Sequence, residues 1–507
     1  MRTAYTAAQP DKVPLRAGTR TRALAGIRDT RAVTLRSMHD AVGRCWIAAA
    51  LPIAALAACA ASLRPLPIDP ASTAGAFSAR RLELPQAQVP TSAADWNRAQ
   101  WLVAALRFNP QLAEARARIA VSMAAERTAA QHPNPTLNLF TEYVGAAAHG
   151  AAWLYGLSLD FLLRRPGDRT RAIDYAAVET ALAKSDLTES IWSVRSALRL
   201  ALLDAVSSRD EATLLEALVT ERQTLLASDR ARADAGDIAR AQMLADELEL
   251  ARALQRVRRA QSRGADALSR VAAAVGVPLA ALDDTLVRWD GWADIDALDA
   301  GALPNDWRIA ALVGRPEIIH ALGQYDLAEI ILQNEVAKRW PEVHLTPGYA
   351  WGDHGVREDA FNDFAQETAL GLNLELPLFN RHQGPIGEAL ARRTAAGQHL
   401  IAVQAELFGQ IDRAEQAWPR ARAAWRDAAA MVAIANRQHD VELRSLAAGA
   451  GDRAGVAAAD VAATEAQLLL LAAAYDAECA FGALEDAYRR PLQGAEVALP
   501  LDADTAS

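Results

Sequence analysis

Four segments of this chain alternate apolar and polar side chains with a period of two residues. The clearest is Leu370–Leu378, in which leucine occupies every second position and Gly371, Asn373, Glu375 and Pro377 stand between. A period of two places all the apolar side chains on one face of a β-strand. The other three predicted strands are Thr136–Val144, Trp153–Leu162 and Val343–Trp351.

The lengths of these strands leave two surroundings open. In a soluble protein the apolar face would pack on a core, but a strand of about nine to eleven residues also suits a tilted crossing of a membrane. Tyr143, Trp153, Tyr349 and Trp351 stand near strand ends, where a membrane-spanning strand meets the lipid headgroups. Four strands cannot close a barrel, and lipid does not tolerate open strand edges. In a membrane, several chains would therefore have to share one barrel.

A very long helical stretch follows each pair of predicted strands. No proline occurs between Pro166 and Pro278, and a single helix over Arg171–Arg232 would be roughly 90 Å long at about 1.5 Å per residue. From Ile191 to Val219, apolar and small residues recur every three or four positions, which is typical of a coiled-coil seam. The alternative for both stretches is a soluble coiled coil or a rod of repeats.

The two helical stretches share one plan. In the first, Ala235–Asp237 predicts a turn, after which a helix returns from about Ile238 to Ala274. The second covers Gly387–Tyr488 and contains its turn at Ala448–Asp452. Pro419 lies inside the long helix of the second stretch, where the missing N–H predicts a kink or a break.

These elements belong to a duplicated unit of helix, strand, strand and helix. Pro110 and Pro135 in the first half recur 206 residues later as Pro316 and Pro341, and the two helical turns lie 213 residues apart. The copies therefore differ by a small insertion. The predicted organisation is a leader with a signal peptide (1–58), an extended linker (59–95), a first repeat (96–300), a second repeat (301–491) and a flexible tail (492–507).

The leader has the features of a secretory lipoprotein signal. Apolar residues fill 46–58, Arg44 precedes them and Cys59 follows them, which is the order of charge, apolar run and small residues in a signal peptide. Leu56–Cys59 resembles the lipobox of bacterial lipoproteins and predicts lipid attachment at Cys59. The alternative is that this match to the lipobox arises by chance in an alanine-rich chain. Met38 would begin a signal of ordinary length, so it is a second candidate for the initiator.

Composition narrows the functions further. The whole chain carries a net charge of −9, and its first 58 residues hold nine basic and three acidic side chains, so the remainder carries −15. An acidic body argues against a nucleic-acid partner.

The three cysteines give neither a zinc-binding spacing nor a disulfide framework. No phosphate-binding loop and no nucleophile elbow occurs, so we expect neither an enzyme nor a cofactor. Five histidines near the predicted strands are expected in loops or rims rather than as metal ligands: His132, His149, His344, His354 and His382.

Together these features resemble the outer membrane efflux protein family, the TolC-like outer membrane factors. The likeness covers about Trp96–Pro491 and is most specific at Asn109–Leu112, at Pro133–Pro135 and at Gly371–Arg381. The resemblance implies a mainly α protein with a membrane β-barrel portion. Four strands per chain would contribute to the barrel of a homotrimer in the outer membrane, and long antiparallel helices would form a periplasmic α-barrel. Trp192–Arg195 favours the heavy-metal efflux branch of the family.

The same resemblance assigns a role to the two helical turns. In the family each turn carries a glycine followed by a basic residue on the returning helix. Here those positions are Gly236 with Arg240 and Gly449 with Arg453, at the same internal spacing. The resemblance implies that these tips close the duct at rest and dock a periplasmic adaptor protein, which connects them to an inner membrane transporter.

The charged residues at the tips also admit simpler roles. Asp237 and Asp452 are good helix N-caps, or they form a ring of carboxylates that favours cations at the mouth of a trimer. Arg240 and Arg453 either contact a helical hairpin of the adaptor or are only solvated.

The sequence leads to two hypotheses of different classes. The first is a passive exit duct that exports small molecules or metal ions from the periplasm, as the outer membrane channel of a tripartite efflux system. The second is a lipid-anchored periplasmic coiled-coil scaffold without a channel. A scaffold has no need of membrane-length alternating strands, so the strands discriminate between the two. The sequence does not identify the cargo.

Overall fold

The computed structural model describes residues 66–82, 96–144, 152–282, 287–289, 291–298, 304–353, 364–499 and 501. The chain divides into two compact units, Met1–Pro70 and Ala71–Ser507. All the contacts considered below lie within the second unit. The predicted signal peptide, Met38, the lipid-attachment residue Cys59 and two histidines, His149 and His354, lie outside the described residues.

Nine α-helices are found in the described ranges, and two long hairpins dominate them. The third and seventh helices begin with proline. Proline lacks an N–H, and it is tolerated there because the first N–H of a helix has no partner within the helix. The helices are α1 (Pro70–Ser78), α2 (Arg98–Phe108), α3 (Pro110–Ala129), α4 (Asp168–Ala235), α5 (Arg240–Val275), α6 (Asn305–Gly314), α7 (Pro316–Ala337), α8 (Gln383–Ala447) and α9 (Arg453–Tyr488).

The duplication predicted from the sequence is visible in these helices. The long helices α4 and α8 have 68 and 65 residues, and the returning helices α5 and α9 have 36 each. At about 1.5 Å per residue, α4 is roughly 100 Å long. Most of the predicted seam of α4 is buried, from Ile191 to Leu215, so the coiled-coil pattern marks its packed face.

The described strands form one antiparallel sheet in the order β1-β2-β3-β4. Three predictions are correct to within two residues, and the fourth strand begins and ends earlier than predicted. Leu374 pairs with Val343, the first residue of β3, and Pro377 has no N–H to offer. Leu376 and Leu378 therefore lie beyond the sheet. The strands are β1 (Thr136–Val144), β2 (Ala152–Leu163), β3 (Val343–Asp353) and β4 (Phe364–Leu374).

The helices pack side by side in two rows that share α4 and α8. In the half nearer the sheet, α3 packs on α4, α4 on α7 and α7 on α8. In the half nearer the helical turns, α5 packs on α4, α4 on α9 and α9 on α8. Each row thus places helices of both repeats side by side. The end helices are α3 and α8 in the first row and α5 and α8 in the second, and each has one neighbour in that row.

Three details differ from the sequence predictions. Of the kink or break predicted at Pro419, the break does not occur, because α8 continues through this residue. There Trp418 packs its ring edge-on against Phe481 of α9 at 5.1 Å between centroids. The region 59–95, expected to be extended, contains α1. The tail 492–507, expected to be flexible, contains a buried residue, Glu496.

A buried charge network explains why this tail is held. The Arg195 side chain on α4 is 1% exposed and donates to Glu485 on α9 at 2.7 Å and to Glu496 at 2.9 Å. Arg98 on α2 donates to the second oxygen of Glu496, also at 2.9 Å. A buried ion needs such partners to offset the loss of water. The network therefore joins both repeats to the tail.

The helix α9 is also long and apolar enough to cross a membrane, by length and composition alone. It packs along α8 on one side and α4 on the other, and it carries the buried carboxyl groups of Glu478 and Glu485. Core helices pass the same test, and 33% of the apolar window of α9 is buried in the structure.

Glu478 makes the stability of this region depend on pH. Burial raises the pKa of its carboxyl group to about 7, although Arg98 and Arg199 oppose the shift. Between its unfolded pKa and about 7 the folded chain holds a proton that the unfolded chain releases. The contribution of Glu478 to the free energy of unfolding is therefore largest below the unfolded pKa. It is lost as the pH rises through about 7.

We predict that Glu478→Gln, which cannot ionise, stabilises the chain at pH 8 by on the order of 3 kcal/mol and has little effect at pH 4. The measurement is the urea midpoint of wild type and variant at both pH values. Glu114→Gln, a change at an exposed carboxylate, serves as the control and should show no such difference. An equal effect of Glu478→Gln at both pH values would refute the assignment.

Candidate functional site

One face of the sheet is apolar from β1 to β4. The register pairs Leu139 with Leu157, Leu157 with Tyr349, and Leu345 with Leu372, so apolar residues meet on the same face at every strand boundary. The side chains of Leu139 and Leu370 are 65% and 73% exposed. An apolar face of this extent that the described residues leave uncovered marks contact with lipid or with another protein.

The opposite face carries polar and small residues. His344 on β3 contacts the carboxylate of Asp160 on β2 at 2.9 Å, and its other ring nitrogen lies 3.3 Å from Glu342. Phe140, Leu154 and Leu162 are apolar residues on this face. The Phe140 ring covers Gly156, where a Cβ atom would lie 2.2 Å from the ring. Strands with one apolar and one polar face are typical of barrel walls between lipid and water.

Both outer strands of the sheet have an unpaired edge. In the described part of the chain β1 pairs only with β2, and β4 pairs only with β3. Each outer strand therefore presents a row of backbone N–H and C=O groups without strand partners. Such groups cost several kcal/mol each in hydrocarbon, so the sheet cannot meet lipid in this form.

The helical turns at the far end of the hairpins depend on glycine. Gly236 and Gly449 have φ angles of +84° and +74°, a region that other residues adopt at a cost. Gly236 ends α4 with its N–H bonded to the carbonyl groups of Arg232 and Ala233. The predicted turn positions are therefore correct in both repeats.

The two aspartates at the turns differ. Asp452 caps α9, because its carboxylate accepts the N–H of Gly455 at 2.7 Å. Asp237 does not cap α5, whose N-cap is Ala239. Its own N–H donates to the carbonyl of Arg232 and fixes it in the turn, so the capping prediction is wrong for Asp237.

Arg240 and Arg453 occupy equivalent and exposed positions. Each is the first residue of its returning helix, α5 or α9, and neither helix has an acidic residue in its first turn. The positive end of the helix dipole disfavours a cation at this place. Local stability therefore does not explain why both repeats carry arginine there.

The two hairpins are tied together by polar contacts between α4 and α9. Beyond the Arg195 network, Tyr475 donates to Asp204 at 2.6 Å. Closer to the turns, Thr464 donates to Glu221 at 2.8 Å and Arg222 donates to Glu465 at 2.6 Å. These ties could not be predicted from the sequence, because periodicity shows which residues face inward and not which ones meet across the two repeats.

Close to the turns acidic side chains come together. Burial raises the pKa of Asp229 on α4, a side-chain hydrogen bond with Asp246 on α5 and the charge of that carboxyl group raise it further, and Asp452, the N-cap of α9, adds a smaller effect. Arg232 opposes the shift only in part. Three carboxyl groups from three helices thus meet at the tips, and among the described residues no set of acids, histidines and cysteines is arranged to bind a metal ion there or elsewhere.

The histidines occupy varied positions. His132 is in the loop before β1 and His382 is at the start of α8, as the loop prediction expected. His344 instead lies within β3 on the polar face of the sheet.

Comparisons with known proteins identify the architecture. A family model described as "Outer membrane efflux protein" matches residues 308–488, which lie within the second repeat. No curated protein matches the chain in sequence. The family expected from the sequence resemblance is thus confirmed by the match to the second repeat.

Solved structures share the fold of nearly all of the described chain. The outer membrane protein VceC from Vibrio cholerae has a TM-score of 0.61 at 16% identity, with 77% of this chain and 95% of that chain covered. The CmeC outer membrane channel of Campylobacter jejuni has a TM-score of 0.62 at 13% identity, covering 77% and 85%. The MtrE outer membrane channel of Neisseria gonorrhoeae, in its open state, has a TM-score of 0.59 at 16% identity, covering 79% and 93%.

Proposed function

We propose that this chain, whose second repeat is an outer membrane efflux protein domain, is the exit duct of a tripartite efflux system. Three copies would share one β-barrel in the outer membrane, and their helical hairpins would form a tunnel through the periplasm. Lipid attachment at Cys59 would anchor each chain to the membrane. The duct is passive, and its cargo of small molecules or metal ions is selected by the transporter.

The unpaired edges of β1 and β4 carry this proposal. A sheet with an apolar face can enter lipid only if all of its backbone groups are paired. Pairing β4 of one copy with β1 of the next satisfies both edges and closes the barrel. Three copies of a four-stranded sheet give twelve strands, an even number within the range of bacterial outer membrane barrels.

The same arrangement accounts for the helices. The helix at each end of a row has only one neighbour in that row. Helices of adjacent copies would pack against these end helices and so close a ring. A coiled-coil scaffold, the alternative class, would need neither a sheet with two unlike faces nor free strand edges. The sheet therefore favours the duct.

The first prediction compares two neighbouring residues on opposite faces of β1. We expect Leu139→Arg to destabilise the membrane-inserted barrel by about 2–4 kcal/mol, because its side chain would face lipid near the middle of the strand. We expect Asn138→Arg, on the polar face, to be tolerated. The measurement is the fraction of heat-resistant oligomer in outer membrane extracts. Equal tolerance of the two arginines, or greater damage at Asn138, would contradict the proposed orientation.

The second prediction concerns docking at the tips. We expect the double change Arg240→Glu and Arg453→Glu to lower export roughly tenfold or more, since like charges placed together at an interface cost several kcal/mol. Barrel assembly should be unchanged, because both side chains are exposed and far from the sheet. The measurement is efflux of a fluorescent substrate from cells that also make the adaptor and the transporter.

A matched control for docking is available on the same helix. Arg258 on α5 is also exposed and lies five turns from Arg240. We expect Arg258→Glu to leave export unchanged. Normal export by the Arg240 and Arg453 double variant would rule out their role in docking.

A further inference from the structure

The polar contacts between α4 and α9 change from the middle of the hairpins to the tips. Among the described residues, the last polar ties before the tips are Glu221 with Thr464 and Arg222 with Glu465. Beyond them Asp452, the N-cap of α9, contributes to the raised pKa of Asp229 on α4, so repulsion between their charges opposes the contact there. The ties at Glu221 and Arg222 thus hold the hairpins together against that repulsion.

One of these ties is only half satisfied. One carboxyl oxygen of Glu221 accepts the Thr464 hydroxyl at 2.8 Å, while the other is buried and has no hydrogen-bond partner in the described structure. A buried, unpaired carboxylate oxygen carries a large desolvation cost. The partner tie has no such defect, because Arg222 contacts Glu465 at 2.6 Å and approaches Glu249 on α5 at 4.0 Å.

Two further titratable groups face Glu221. Asp460 lies on α9, one turn from Thr464 towards the tip, and its carboxylate contacts Nε2 of His439 on α8 at 2.8 Å. Burial raises the pKa of Glu221, and Asp460 raises it further. The Thr464 hydrogen bond and His439 act in the opposite direction. Glu221 therefore meets one repelling carboxylate and one histidine.

We propose that Glu221, with Asp460 and His439, forms a proton-operated latch on the tips of the duct. With a proton on Glu221, the buried charge and its repulsion from Asp460 disappear, so α4 stays against α9 and the tips stay closed. Loss of that proton weakens the contact and favours separation of the two hairpins. The latch rests on the proposed function, because it regulates the opening of that duct.

The direction of the pH dependence follows from the raised pKa. The closed form binds the proton more tightly than an open form in which Glu221 is solvated, so acid favours closure. A single proton can change the ratio of open to closed forms by at most tenfold per pH unit. His439 tunes the midpoint, because its positive charge favours the ionised form of Glu221.

The test is the conductance of the purified full chain in planar bilayers between pH 5 and pH 8. We expect the open probability of the wild type to rise with pH. Glu221→Gln should hold the tips closed and remove most of the pH dependence. His439→Gln should move the transition to higher pH. Glu216→Gln, at an exposed carboxylate on the same helix, should behave as the wild type.

A second readout does not depend on conduction. Spin labels at Ala235→Cys and Ala450→Cys, both exposed at the tips, report the separation of α4 and α9 by pulsed electron paramagnetic resonance. We expect the distance to increase with pH in an otherwise wild-type chain and to remain short with Glu221→Gln. A pH-dependent distance in a chain that never conducts would retain the latch and refute the duct. A distance or open probability that varies with pH in the same way after Glu221→Gln would overturn the latch.

Discussion

The structure depends on one constraint: the backbone groups at the edges of β1 and β4 need partners. Inside the sheet neighbouring strands pair antiparallel, with a gap between β2 and β3 at Leu159 and Asp160, and one face is mainly apolar across all four strands. The described sheet therefore has two unlike faces and two open edges. Water could satisfy the free edges and lipid cannot. The proposed association with further copies rests on that difference in solvent.

The polar contacts between the two hairpins change along the length of the helices. Near their middle the two repeats are joined by the buried network around Arg195, which also holds the tail through Glu496. Towards the turns the ties become fewer and end at Glu221 and Arg222. Beyond that point carboxyl groups face one another. In the proposed duct this gradient would let one end open while the other stays assembled, and the tips would be its weaker end.

Much of the fold could be predicted from the sequence because it is encoded by local periodicity. Alternation in Thr136–Val144 predicted the bounds of β1, and the three-four spacing predicted the packed face of α4. The errors occurred where pairing or packing decides the outcome. Alternation continues to Leu378, but β4 ends at Leu374 because its partner strand ends there. The break that Pro419 allowed in α8 does not occur, because the helix continues through it. At the candidate site the glycine turns were predictable, and the contact of Glu221 with Thr464 was not, since it joins residues 243 positions apart.

The most direct test of the central claim is single-particle electron microscopy of the full chain in lipid nanodiscs. The account predicts three copies around one closed barrel, with β4 of each copy hydrogen-bonded to β1 of the next and the Leu139 face turned to lipid. A particle with a single copy, or an assembly in which the edges of β1 and β4 remain unpaired, would contradict it.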